Sequence, residues 1–331
     1  MKKQLLALAV GSLVVLPTAA LADKGPTVYG KVNLSLEHID DSTADNQTWK
    51  LQSNASRLGV KGALDLDVDQ LKAIYQAEFQ IAVDDGDNKG QTFSQRNIYG
   101  GFKHDTLGTL IAGKFDSPMK KSTGGVEQFG DLGGDLSQIF AGDERLSNII
   151  QYSTPTLANA VKINVAVIPG EQTANPNPDN GLADAVSSSV VFENDMFYGA
   201  LAYDSKVNTT LLDRGGKGMT DSIRGAAMAK ISNFEVGALV EQAEDSDNSD
   251  LKDNSYLISG AVTLDRLKLK AQYGIADTSN TNNTYKLAAI GADYKLAKHS
   301  KSYIYFSQLK NDNSGDDINT FGVGFEHKFS M

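Results

Sequence analysis

The chain of 331 residues contains no cysteine, one tryptophan, four histidines and seven prolines, and these shortages exclude several kinds of stabilisation and chemistry. Without cysteine there are no disulfide bonds, so packing and backbone pairing must hold the fold together. Few pairs of a nucleophile and a base are available, and no histidine stands in a metal-binding spacing. We therefore expect no enzyme activity, no bound metal and no cofactor.

Long apolar runs are also missing, except at the N-terminus, where residues 1–22 have the three parts of a cleavable signal peptide. These parts are a basic MKK start, the apolar run LLALAVGSLVVL and the ending PTAALA. The apolar run is too short to cross about 30 Å of hydrocarbon as a helix. Cleavage after Ala22 removes Lys2 and Lys3, which changes the formal net charge from −10 to −12. A chain this acidic has little with which to neutralise phosphates, and we expect no binding to nucleic acid.

The sequence does contain strand-like alternation along nearly its whole length. In LKAIYQAEFQIAV, residues 71–83, apolar side chains occupy every second position and mostly polar ones lie between them. The same period of two recurs at residues 27–37, 266–276 and 320–329. This period predicts β-strands that have one apolar face and one polar face.

The lengths and charges of the predicted strands favour a membrane barrel over a soluble β-protein, which is the alternative. Many of them span about 9–13 residues, which suits a tilted bilayer crossing, whereas strands of soluble sheets usually have about 5–6. Their polar faces carry too much charge for a dry interior, as Lys72 and Glu78 on one strand illustrate. Long polar connections also alternate with short ones. We predict an all-β fold, a transmembrane antiparallel up-and-down β-barrel of about 16 strands.

The polar faces of the predicted strands direct several cations toward the wet interior of such a barrel. Arg57 and Lys61 alternate with apolar residues, and Lys31 lies on the polar face of the first strand. Arg96 stands in a strand with apolar residues on both faces, so alternation leaves its direction open. A charge facing lipid costs about 2–4 kcal/mol at the midplane, which favours the interior for Arg96. These cations form a candidate basic wall.

A long segment rich in glycine and aspartate follows residue 118. Structureless connections of more than about 12–15 residues are uncommon in compact domains, so the segment needs a surface to fold against. It carries Glu127, Asp131 and Asp135, and these carboxylates would face the basic wall if the segment folded into the barrel. Such opposed charges orient dipolar solutes and bias which ions enter. The alternative is an external loop whose acids are solvated.

Several stretches, taken in order, resemble the general-diffusion porins of Gram-negative (proteobacterial) bacteria. RNIYGGFKHDTLGTLIAGKFDSP, residues 96–118, resembles the signature that precedes the constriction loop of that family. YGKVNLSL, SRLGVKG and NIIQYSTP resemble its first, second and sixth strands, and FGVGFEHKF resembles its last. The resemblance extends over essentially the whole chain after residue 22.

The resemblance implies a trimeric barrel of sixteen strands in the outer membrane, through which ions and small hydrophilic solutes diffuse passively. Residues 23–331 would form the barrel, with residues 116–146 as a third loop folded into the lumen. The implied partners are two further copies of the chain, outer-membrane lipid and lipopolysaccharide. Matched by position, the constriction would consist of a basic wall and an acidic loop: Lys31, Arg57, Lys61, Arg96 and Lys114, opposite Glu127, Asp131 and Asp135.

The sequence departs from the family pattern in two places, and three alternatives stay open. The basic wall is thinner than in the best-known members of the family, so the resemblance implies no strong preference for cations or anions. Ser330 and Met331 follow Phe329, whereas the family usually ends on an aromatic residue that is recognised during insertion into the outer membrane. The alternatives to a general porin are a solute-specific channel, an adhesin-like barrel whose external loops bind a partner, and a barrel enzyme.

Overall fold

The computed structural model describes residues 25–85, 93–171, 180–212, 214 and 216–331. The signal peptide predicted at residues 1–22 lies outside these described residues. Within them the chain is almost entirely β-strand, and no helix is long and apolar enough to cross a membrane. The all-β class predicted from the alternation is confirmed.

Strand segments follow one another along the chain, and the one helix in the described part, α1 (Pro118–Lys121), has a single turn. A 3-10 turn at Leu136–Gln138 follows α1. The strands are β1 (Thr27–Asp41), β2 (Asn46–Ser53), β3 (Arg57–Asp65), β4 (Leu71–Ile81), β5 (Phe93–His104), β6 (Gly108–Asp116), β7 (Arg145–Ser153), β8 (Val161–Ile168), β9 (Ala185–Glu193), β10 (Phe197–Leu211), β11 (Gly216–Ile231), β12 (Phe234–Asp245), β13 (Lys252–Leu264), β14 (Leu267–Thr278), β15 (Thr284–Ala297), β16 (Ser300–Asn311) and β17 (Asp317–Ser330).

The sheet is closed. Each strand from β3 to β16 pairs antiparallel with the next, and β1 pairs with β17 on one side. On its other side β1 pairs with β2 through residues 34–41 and with β3 through residues 27–31. β2 and β3 are therefore two parts of one barrel strand, interrupted where Ala55 adopts a left-handed φ of +49°. The segments thus occupy sixteen positions, and the predicted antiparallel barrel of about 16 strands is confirmed.

Alternation along the strands gives the barrel an apolar outer face and a polar inner face. On β12, Val236 and Val240 are exposed, whereas Glu241 on the opposite face is buried. On β1 the inner face carries a row of buried polar residues, from Lys31 to Glu37. A closed wall with an apolar exterior is the arrangement that lipid requires, because no strand edge is left unpaired in hydrocarbon.

The two ends of the barrel differ in the length of their connections. One end, which we call the short-turn end, has the connections at residues 66–70, 105–107, 154–160, 194–196, 232–233, 265–266 and 298–299. The other end carries the longest loops, together with some short connections. The longest connection is the third loop at that end, residues 117–144 between β6 and β7, which we call the loop segment.

Candidate pore constriction

The loop segment is a folded element with its own caps. Ser117 accepts a hydrogen bond from the backbone N–H of Lys120 at 3.0 Å, and Pro118 occupies the first helical position, where no N–H is needed. Asp135 caps the 3-10 turn by accepting from the backbone N–H of Ser137 at 2.8 Å. Local capping therefore gives this glycine-rich stretch a defined shape.

The loop segment also buries apolar side chains against the inner face of the barrel. Five of its buried apolar residues are between 0 and 4 % exposed, namely Val126, Phe129, Leu136, Ile139 and Phe140. They pack against inner-face residues that interrupt the polar pattern of the wall, namely Tyr198, Leu239, Leu257, Leu287, Ala289, Tyr303 and Tyr305. Burial of this apolar area is a stabilising contribution that solvated external loops lack.

Hydrogen bonds fasten the backbone of the loop segment to side chains of β9, β10, β13, β14 and β16. Because all of these side chains belong to the inner face, they fix the segment to one half of the barrel wall. The bonded pairs are Met119 N with Ser187 Oγ, Ser122 O with Tyr198 Oη, Val126 O with Ser259 Oγ, Gly133 N with Tyr305 Oη, Gly134 O with Gln272 Nε2, and Ile139 O with Ser255 Oγ.

An ion pair between β11 and β12 holds both ends of the loop segment. Nε of Arg224 donates to Oε2 of Glu241 at 2.7 Å, and both side chains are no more than 1 % exposed. Glu241 Oε1 accepts from the backbone N–H of Ala141 at 2.8 Å, near the end of the segment. Arg224 Nη1 donates to Thr123 Oγ1 at 2.8 Å, near its start. A Cβ on Gly142 would lie 2.8 Å from Glu241 Oε2, so the close approach requires glycine.

Of the three predicted loop acids, Asp131 contacts the basic wall. Its Oδ2 atom lies 2.9 Å from Nζ of Lys31. Glu127 instead accepts from the backbone N–H of Leu136 at 2.7 Å, and Asp135 accepts from the backbone N–H of Asp131 at 2.6 Å. Glu127 and Asp135 therefore stabilise turns of the loop segment. Of the three acids predicted to face the basic wall, Asp131 is the one whose carboxylate forms an ion pair with it.

The same division appears in the acidities of the three carboxyl groups. Burial raises the pKa of Glu127 well above its usual value, and the neighbouring Asp135 raises it further. Burial also raises the pKa of Asp135. Burial opposes ionisation of Asp131 as well, but the charges of Lys31 and Arg57 outweigh it and lower the pKa of Asp131 overall. Asp131 is thus the carboxylate that cations stabilise in its charged form.

Two of the predicted cations share one inner-face carboxylate. Nε of Arg96 lies 2.9 Å from Oε1 of Glu78, and Nε of Arg57 lies 3.9 Å from Oε2. A register shift between β4 and β5 beside Arg96 explains why simple alternation left its direction open. Lys31 pairs directly with Arg57 across β1 and β3. The structure therefore brings Lys31, Arg57 and Arg96 together with Asp131 and Glu78.

The remaining predicted cations, Lys61 and Lys114, lie on opposite faces of the wall. Lys61 is on the inner face, with its ammonium 5.1 Å from the centroid of the Tyr29 ring. Lys114 pairs with Ile98 of β5 and lies between Gly113 and Phe115, which belong to the inner face. Alternation therefore directs Lys114 outward. This direction does not agree with the place in the basic wall that was transferred to Lys114 from the family, because that transfer did not take the strand register into account.

Several charged residues that support the loop segment were missed from the sequence. Lys270 of β14 donates to the backbone oxygen of Gln128 at 2.9 Å and lies 4.5 Å from the centroid of the Phe129 ring. Its ammonium is 3.1 Å from Oδ1 of Asp293. Arg224 was missed as well, although a lone arginine in the otherwise apolar and small stretch IRGAAMA is a usable signal.

Comparison with known proteins agrees with this architecture. The major outer membrane protein P.IB of Neisseria gonorrhoeae is 26% identical over 375 residues, which cover 99% of this chain and 100% of that protein. P.IB of Neisseria meningitidis serogroup B is 26% identical over 356 residues, with the same coverage.

Solved structures show the same fold. The anion-selective porin from Comamonas acidovorans has a TM-score of 0.78 at 21% identity, covering 92% of this chain and 99% of that one. OmpT of Vibrio cholerae has a TM-score of 0.70 at 16% identity, covering 93% of this chain and 99% of that one. A family model described as Gram-negative porin matches residues 7–314, so the chain belongs to the Gram-negative porin family.

Proposed function

We propose that this outer-membrane porin gives passive passage to ions and small hydrophilic solutes through a water-filled lumen that the loop segment narrows. The observation that carries the proposal is the attachment of the loop segment to the inner face of a closed barrel whose outer face is apolar. A segment bonded to the inner face occupies part of the cross-section. The space left beside it is lined by charged side chains that only water can solvate.

We place the narrowest charged contact between the loop segment and the basic wall. Lys31, Arg57 and Arg96 lie on one side, and Asp131 reaches them from the loop segment. Lys61 continues the basic wall toward the short-turn end. Fixed charges of opposite sign across a pore create a transverse field that orients dipolar solutes. Glu127 and Asp135 act in this proposal by shaping the loop segment that carries Asp131.

We propose that the chain forms an oligomer, specifically a homotrimer. The argument begins with Lys114, which alternation directs toward the outer face of the barrel. A lysine facing lipid costs about 2–4 kcal/mol near the midplane, and a neighbouring subunit would remove that cost. A Cβ on Gly100 would meet no atom within 4 Å, which leaves room for another surface beside the same strands. A related chain, OmpT of Vibrio cholerae, is described in a trimer form. Outer-membrane lipid and lipopolysaccharide would cover the rest of the outer face.

The mature protein is proposed to comprise residues 23–331, after removal of residues 1–22. The proposed role is transport and not catalysis. Intact-mass measurement of the protein from isolated outer membranes tests the cleavage site. Native mass spectrometry in detergent tests the trimer, and a monomeric mass at all detergent concentrations would contradict it.

Planar-bilayer recording tests the channel directly. Purified, refolded protein should insert in discrete conductance steps, and vesicles containing it should swell in solutions of small sugars but not of large ones. Protein that inserts, as shown by protease protection of the barrel, but gives no conductance steps would contradict the proposed function.

A further inference from the structure

Three lysines of the inner face stand apart from the acidic residues. Lys103 lies near the end of β5, Lys121 ends α1 and Lys162 lies near the start of β8. Most other inner-face cations have a carboxylate partner, as Lys31 has Asp131 and Arg96 has Glu78. In the described part of the chain, none of these three ammonium groups has a carboxylate oxygen within 4.0 Å. Positive charge is therefore left uncompensated in this part of the wall.

Lys103 is further destabilised by a like charge directly across the sheet. Lys72 of β4 is its register partner, and both side chains belong to the inner face. Directly opposed like charges destabilise an antiparallel pair. Lys72 is compensated by Asp65, whose Oδ1 atom is 2.8 Å from its ammonium. Lys103 has no comparable carboxylate partner, and an anion bound beside it would offset the repulsion between Lys103 and Lys72.

Lys121 approaches the same region from the loop segment. Its ammonium lies 5.3 Å from the centroid of the Phe115 ring, which directs it along the inner face. α1 contacts β8, the strand that carries Lys162. Burial lowers the pKa of Lys121, and the positive charge of Lys162 lowers it further. Asp116 acts in the opposite direction on Lys121, but it is itself held by Arg145 at 2.8 Å.

Neutral polar side chains fill the wall between Lys103 and Lys162. Along the register, Lys103 pairs with Thr109 of β6, Thr109 with Ser153 of β7, and Ser153 with Asn164 of β8. Lys162 precedes Asn164 by two positions on the same strand face. Ser153 Oγ donates to Asn164 Oδ1 at 2.7 Å, and Asn164 Nδ2 donates to Ser189 Oγ at 3.1 Å, so these side chains are bonded to one another. The row adds no negative charge to this part of the wall.

We infer that Lys103, Lys121 and Lys162 form a weak, transient binding site for small divalent oxyanions near the short-turn end of the pore. Three ammonium groups with no carboxylate oxygen within 4.0 Å match two negative charges, and the neutral row between them adds no charge that would repel the anion. Weak binding is what conduction requires, because an ion must leave as easily as it enters. The inference rests on the proposed channel function and gives the channel a local preference for anions despite the acidic chain.

Block of chloride current by sulfate tests the site. In planar bilayers, sodium sulfate added on the side of the short-turn end should reduce the single-channel chloride current at low millimolar levels, and inorganic phosphate at pH 8 should do the same. Replacing one lysine, as in Lys162→Gln, should raise the half-blocking sulfate concentration roughly threefold, as expected for one partly exposed charge. The triple Gln variant should raise it about tenfold or more.

Lys298→Gln is the matched control, because it removes the same charge at the same end of the barrel from an exposed turn. It should leave the half-blocking concentration unchanged. Equal block of the native channel and the triple variant would overturn the site, as would an unblocked native channel. Both results leave chloride conduction intact and so differ from a failure of the proposed function, in which no conductance steps occur. Lys162→Gln at an exposed position keeps the test usable if the triple variant does not fold.

Discussion

Lys31 and Asp131 are 100 residues apart in sequence, and their charged atoms lie 2.9 Å apart between β1 and the loop segment. The lysine side chain is 6 % exposed and the aspartate side chain 37 % exposed, so the wall contributes the buried charge and the loop segment the accessible one. Lys31 is also 3.8 Å from Glu326 of β17. The pair thus joins the first strand, the last strand and the loop segment at one point of the pore.

Asp131→Asn should shift the ion preference of the channel toward anions. The substitution removes the accessible negative charge and releases the positive charge of Lys31 into the pore. The reversal potential in a KCl gradient should move toward that of chloride. Asp265→Asn, in the exposed turn between β13 and β14, is the control and should leave the potential unchanged. An unaltered potential for Asp131→Asn would mean that ions do not pass this contact.

Breaking the ion pair between Arg224 and Glu241 should loosen the loop segment. Glu241→Gln or Arg224→Met leaves one buried charge unpaired, which typically costs about 3–5 kcal/mol. We expect a lower free energy of unfolding and larger fluctuations of the open-channel current. The control is Glu244→Gln, whose partner Lys252 is partly exposed at 3.0 Å, with an expected cost of about 0–1 kcal/mol. Equal current noise in both variants would contradict a positioning role for the buried pair.

The barrel was predictable because its signal is repeated in every strand. A period of two, with charged residues on one face, recurs from β1 to β17, and each repeat indicates the same two-sided wall. The interruption at Ala55 was not predictable, because a left-handed φ in a non-glycine residue follows from tertiary contacts and leaves no periodic trace. The predicted number of about sixteen strands is nevertheless correct, because β2 and β3 together occupy one position in the barrel.

The constriction was only partly predictable. Lys31, Arg57 and Lys61 follow from strand alternation, because each lies opposite apolar neighbours. The separate roles of Asp131 and Glu127 do not, because they depend on how the loop segment folds onto itself and which carboxylate its backbone N–H groups bind. Lys114 was matched to a family position without regard to the strand register. Because a shift of one residue along a strand moves a side chain to the other face, such a match can assign a residue to the wrong face.

The faces assigned to Lys61 and Lys114 predict different effects for the same substitution. Lys61→Gln removes a cation from the inner face and should shift the reversal potential toward that of the cation. Lys114→Gln acts on the outer face and should leave the potential unchanged, while it changes the stability of the oligomer in detergent. A shift of the potential by Lys114→Gln as large as that by Lys61→Gln would place both side chains in the pore.

The pKa values of the loop acids predict opposite dependences of stability on pH. For Glu127 the pKa in the folded protein is raised, so its contribution to stability is fully present below its ordinary pKa of about 4.3 and is lost as pH rises through the raised value. For Asp131 the folded-state pKa is lowered, so its contribution is present above about pH 3.9 and is lost as pH falls through the lowered value.

Glu127→Gln should therefore stabilise the barrel at pH 8, because it removes a buried carboxylate and keeps an oxygen for the backbone N–H of Leu136. The gain should vanish near pH 4, where the native carboxyl is already protonated. Asp131→Asn should instead destabilise at pH 8, and its effect should shrink at the lowest pH values. Thermal unfolding in detergent at a series of pH values measures both, at about 2–4 °C per kcal/mol for a large domain. A Glu127→Gln variant that is less stable than the native protein at pH 8 would show that this carboxylate is held in its charged form, and the assigned acidity would be wrong.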